Sequence, residues 1–67
     1  MDNQRLQEII KASHISVADL SKSIGMDAST LYRKISGDSS FTVQEAKLLS
    51  ETLKMKKRDL LSVFFAD

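Results

Sequence analysis

The sequence has no cysteine, no proline and no tryptophan, and only two glycines. Without cysteine there is no disulfide and no thiolate metal ligand. The single histidine cannot build a zinc site alone, so no metal and no cofactor is expected. With so few glycines and no proline, an all-β chain full of tight turns is disfavoured and helices are favoured. No apolar run approaches the ~20 residues of a membrane span, and the start carries no secretory pattern. Ten basic and nine acidic residues leave a formal charge of +1. Attraction to a polyanion must therefore come from the local arrangement of charge. There is no paired-carboxylate set, no nucleophile–base set and no glycine-rich phosphate loop. An enzyme is not expected, and no small-molecule site is evident.

What is present is a repeated local pattern within 67 residues, a length that fits one small domain over 1–67. An apolar residue precedes a cap position, and a second apolar residue follows five positions later. Ile15-Ser16 leads to Leu20, Met26-Asp27 to Leu31, Phe41-Thr42 to Ala46, and Met55-Lys56 to Leu60. Met1-Asp2 with Leu6 repeats it. This is the spacing of the hydrophobic staple at a helix start. Ser16 with Asp19, and Thr42 with Glu45, add the acid of a capping box. Five helices are predicted, over about 3–13, 17–24, 28–36 and 43–54, with the last starting near Lys57. Their inward faces are Leu6, Ile9, Ile10 and Ser13; Leu20 and Ile24; Leu31 and Ile35; and Val43, Ala46, Leu49 and Leu53. Met26 and Met55 read as staple and core residues. His14 reads as a loop residue that ends the first helix in the left-handed region. The fold class is a compact all-α bundle of five helices.

The stretch 16–37 organises the rest. Ser16 caps one short helix, and Gly25 ends it in the conformation that glycine adopts cheaply. Asp27 caps a second helix, which Gly37 ends. Ser29, Tyr32, Arg33 and Ser36 share the outer side of that second helix, opposite Leu31 and Ile35. Two short helices around a tight turn, with a polar outer face on the second, form the helix-turn-helix pattern, whose second helix enters the major groove of DNA.

From Leu6 to Leu60 the chain resembles the phage Cro/repressor-type helix-turn-helix family, with its lambda-repressor-like bundle. The features that carry the resemblance are Leu20 and Ile24, Gly25, Met26-Asp27, Ser29-Thr30-Leu31, Ser36-Gly37, Leu53-x-Met55 and Asp59-Leu60. The LYRKISG stretch, the later FTVQEA and the terminal VFF look like small regulators of phages and prophages. The resemblance implies sequence-specific binding to a double-stranded DNA operator in a bacterial cytoplasm, as a homodimer at least on DNA, to control transcription. Carried over by position, the base readers are Ala28, Ser29, Tyr32 and Arg33. Phosphate contacts fall to Ser16, to Ser36, Ser39 and Ser40 in the following turn, and to Thr42 and Gln44 at the next helix start. The chain departs from the family at five positions. Val17 stands where many members have a phosphate-binding glutamine, Ser21 replaces a common alanine, and Asp38 stands where a basic residue is frequent. Ile10 and Ile35 occupy positions often held by an arginine–glutamate pair, which predicts an apolar contact there.

Arg33 can bond guanine O6 and N7 together, a contact worth ~1–3 kcal/mol of discrimination. Ser29 bonds several base edges, Tyr32 suits a thymine methyl or a phosphate, and Ala28 permits close approach. Lys22 and Lys34 add charge contacts that salt screens. The plain alternative for Tyr32, Arg33 and Lys34 is a solvated face. Lys54, Lys56, Lys57 and Arg58 read as a solvated basic connection. The apolar tail Val63-Phe64-Phe65, with Leu48, is the candidate dimer surface. In the other reading of the tail, Phe64 folds back onto the core and Phe65 stays near the surface. A different functional class also fits the near-neutral charge, Val17 and Asp38: a protein-interaction module or antitoxin-like partner that keeps the fold.

Overall fold

Cap geometry divides the chain. In the computed structural model, which describes residues 1–65, the helices are α1 (Asn3–Ser13), α2 (Val17–Ile24), α3 (Ala28–Ser36), α4 (Val43–Thr52) and α5 (Lys57–Phe64). No strand occurs among the described residues. The last two positions of the domain expected over 1–67 lie outside the described residues.

Three starts are capped by side chains. The Asp2 carboxylate accepts from the Arg5 N–H at 3.0 Å, and the Ser16 hydroxyl accepts from the Asp19 N–H at 3.1 Å. At α4 the capping box is complete: Thr42 Oγ1 accepts from the Glu45 N–H at 3.1 Å, and the Glu45 carboxylate accepts from the Thr42 N–H at 2.9 Å. Each such cap is worth ~1 kcal/mol. Asp27 has the backbone of a cap but makes no side-chain cap bond, contrary to its expected role. Lys56 makes none either.

Helix ends reverse through the left-handed region at His14, Gly25 and Gly37. At Gly25 the next amide, Met26 N–H, bonds back to the Ser21 carbonyl at 2.9 Å, which turns the chain into α3. The fourth helix is shorter than expected, ending at Thr52. Lys54 adopts φ 55 and the Met55 N–H closes onto the Ser50 carbonyl at 2.9 Å. The reversal is the one a glycine usually makes, and a lysine in that place carries no stop signal.

All five helices feed one core. Leu6, Leu20, Leu31, Leu49 and Val63 are fully buried, joined by Ile10 and Ile35. Burying each such side chain is worth ~1.5–3 kcal/mol. The helix α2 packs on α3 and α4, while α1 packs on α3 and α5. The buried Ser21 and Ser50 donate to carbonyls of their own helices, Ala18 at 2.7 Å and Lys47 at 2.8 Å. Neither hydroxyl is left unsatisfied, and both keep the helix surfaces narrow.

Two expectations are corrected here. Val43 is 70% exposed. Phe41, one residue before the cap, takes the inner place at this end, packing on the core and meeting Phe64 edge-on at 5.4 Å. Val63 is fully buried, so it has no outward surface to offer a second copy. Phe64 is half-buried against the core while Phe65 is 51% exposed, as in the folded-back reading of the tail. A bond from the Asp2 N–H to the Val63 carbonyl, 2.8 Å long, ties α5 to the start of α1.

Candidate nucleic-acid interface

The outer side of α3 is open. Leu31 and Ile35 are buried, whereas Ser29, Tyr32, Arg33 and Ser36 are exposed and Ala28 is half-buried. The Tyr32 ring and the Arg33 guanidinium make no hydrogen bond, ion pair or ring contact among the described residues. Their donors are free for a partner. Because Asp27 leaves the first amides of α3 without a side-chain acceptor, the positive end of that helix stays open beside Ala28 and Ser29.

The backbone beneath these side chains is fixed. The last carbonyls of a helix lack partners of their own, and α1 supplies them. Asn3 Nδ2 donates to the carbonyls of Lys34 at 3.3 Å and Ile35 at 3.0 Å. Gln7 Nε2 donates to the Ile35 carbonyl at 3.3 Å. Gly37, at φ 98, lies under Asn3, whose Oδ1 would stand 3.4 Å from a Cβ added there. The sequence marks Asn3 and Gln7 only as polar positions of the first helix. Two amides four residues apart share one flank, the single local hint of this role.

Lys34 does not join the outer face. Its Nζ donates to Glu45 Oε1 at 2.6 Å, and its side chain is only 12% exposed. The ammonium lies 5.9 Å from the centroid of the Phe41 ring. This corrects its expected phosphate role: the charge is turned inward, to the start of α4. The Lys34 hydrogen bond and then the Thr42 N–H hold the Glu45 carboxyl below its ordinary range, against partial burial that pushes the other way.

The remaining phosphate candidates, Ser16, Lys22, Ser36, Ser39, Ser40, Thr42 and Gln44, are all exposed. The Ser16 and Thr42 hydroxyls accept cap bonds, which leaves each proton free to be donated outward. Ser36 donates its proton to the Arg33 carbonyl at 2.9 Å and reaches a phosphate as donor only by leaving it. Ser39 and Ser40 line a groove of about 290 Å³ with Gly37, Phe41, Thr42 and Val43. Asp38 is exposed in the same turn. A second groove, of about 360 Å³, runs between α1, α2 and α3, lined by Gln7, Ile10, Lys11, Val17, Tyr32 and Ile35 with Ser36. Ile10 and Ile35 are buried in one core cluster, the apolar arrangement their types predict. Val17 offers no side-chain donor there, and the exposed Lys11 stands on the rim.

The family model described as Cro/C1-type HTH DNA-binding domain matches residues 5–65. Comparison with curated proteins finds no match, nor does comparison with solved structures. The matched span takes in most of α1 and all of the other four helices, including the turn at Gly25 and the open side of α3. The chain belongs to the Cro/C1-type helix-turn-helix DNA-binding family and is a DNA-binding transcriptional regulator.

Proposed function

We propose that this regulator is a phage or prophage repressor or Cro-like protein, a single domain over 1–67 that binds a twofold operator as a homodimer. In this reading α3 lies in the major groove with Ala28, Ser29, Tyr32 and Arg33 toward the bases. Ser16, Lys22, Ser39, Ser40, Thr42 and Gln44 fix the register on the backbone. The observation that carries it is the pair Tyr32 and Arg33, exposed on a helix whose C-terminal end is held, yet without a partner of their own among the described residues. Transcription is blocked by occupying the operator.

Size supports the dimer reading. The largest extent of the chain is 26 Å, less than the ~34 Å between half-sites one DNA turn apart. Leu48 and Phe65 are exposed, and Val43 borders the grooves that each of them lines. Together they make an apolar strip suited to a second copy.

The test is selection from a pool of random duplexes, followed by titration of selected and random DNA at two salt concentrations. A recurring palindrome, bound at least ~10³-fold more tightly than random DNA, is the expected result. A second reading, a protein-interaction module, draws on the same apolar strip and on the inward turn of Lys34. Failure to select any sequence, with no binding even at low salt, decides for it.

A further inference from the structure

On the DNA-binding reading above, we propose that Glu45 is a specificity-determining residue: it withholds the Lys34 charge from the DNA backbone, so that the corner between α3 and α4 meets phosphate only through neutral groups. Lys34 is the last cation of α3 before that corner, and the turn beyond it offers Ser39, Ser40 and Thr42. Left free, its ammonium would neutralise a phosphate at any sequence. Glu45 removes it from use, with Nζ to Oε1 at 2.6 Å.

The arrangement is fixed from several sides. The capping box holds the Glu45 carboxylate through the Thr42 N–H, so the acceptor stands ready before Lys34 arrives. The Lys34 ammonium lies by Phe41, and Phe41 is braced edge-on by Phe64. The Lys34 carbonyl accepts from Asn3. Both ends of the residue are therefore tied, and its side chain is nearly covered. Sequence-independent affinity is built from phosphate contacts, each adding about 0.9 to the slope of log affinity against log salt. Discrimination comes from base contacts. Withholding one cation lowers the background against which Arg33 reads bases.

The test is a cycle of wild type, Glu45→Gln, Lys34→Met and the double variant, titrated on a random-sequence duplex across a salt series. Glutamine keeps the capping-box acceptor, and methionine keeps the packing on Phe41. Thermal melting confirms that all four fold. Glu45→Gln is expected to steepen the salt slope by about 0.9 and to bind random DNA several-fold more tightly at low salt. Lys34→Met is expected to keep the wild-type slope, and the Glu45→Gln step is expected to vanish in the Lys34→Met background. An unchanged slope in Glu45→Gln, or the same step in both backgrounds, overturns the inference while the regulator reading stands. A wild type that binds no duplex at all overturns both.

Discussion

Arg33 and Lys34 are neighbours in the chain with opposite fates. Both are basic, and both stand in the last turn of α3. Yet the Arg33 side chain is exposed and has no partner among the described residues, while Lys34 is folded onto Glu45. Successive helical residues lie about 100° apart, enough for one to face outward and the other to meet α4. The open position makes Arg33 a clean probe. Arg33→Ala is expected to weaken operator binding by about tenfold or more, the scale of one lost bidentate base contact. Unfolding free energy should move by no more than ~0.5 kcal/mol, as for surface sites generally. Titration and denaturant melts of the same preparation separate the two. Unchanged operator affinity rejects Arg33 as a base reader. The outward place of Arg33 is legible from spacing against Leu31 and Ile35. The inward place of Lys34 is not, because its partner lies eleven residues away on another helix.

At the scale of elements, α3 is held from behind rather than built to stand alone. Nine residues are fewer than the ~12–15 that an isolated helix needs for even marginal stability in water. Its outer face contributes nothing to the core. Asn3 and Gln7 secure its C-terminal carbonyls, and the Lys34–Glu45 pair links it to the capped start of α4. This link has a pH signature. The folded pKa of Glu45 is depressed, so the stability it lends is fully present above the unfolded value near ~4.3. It is lost as pH falls through the lower folded value. Thermal midpoints of wild type and Glu45→Gln, measured from neutral pH down to about pH 2, are expected to differ above ~pH 4.3 and to draw together as the pH falls below it. A gap that stays constant across the range would remove the ion pair as a source of stability. The start of α4 is legible because its capping box is local chemistry. The early end of α4 is not, because Lys54 takes the left-handed place without being a glycine.

For the whole molecule, the question is what covers the strip formed by Val43, Leu48 and Phe65. These side chains are exposed, as are Met1, Tyr32 and Leu61, while Leu6, Ile10, Leu20, Leu31, Ile35, Leu49 and Val63 close into one core. Leu48→Asp puts a charge on the strip without opening the core, since Leu48 is already exposed. On the proposed homodimer, sedimentation with operator DNA is expected to show less two-copy complex for the variant than for the wild type at equal concentration. Binding to the full palindrome should weaken much more than binding to a half-site. A variant that still dimerises on DNA with wild-type affinity places the interface elsewhere. The tail shows how much a run of apolar residues leaves open. Val63, Phe64 and Phe65 are equivalent by type, but Val63 is sealed in the core, Phe64 braces Phe41, and only Phe65 faces out.

The order and starts of the helices, the Gly25 turn, the Leu and Ile core positions and the open side of α3 were all determined by the sequence itself. Each depends on residues within about one or two turns of one another, where spacing and capping act directly. The tertiary structure alone decided which polar groups remain available on that scaffold. The amides of Asn3 and Gln7 find carbonyls about thirty residues away, and Glu45 captures Lys34 from the next helix. Val43 loses its inner place to Phe41. Such pairings depend on how helices meet in space, and no local spacing encodes the distance between side chains on different helices.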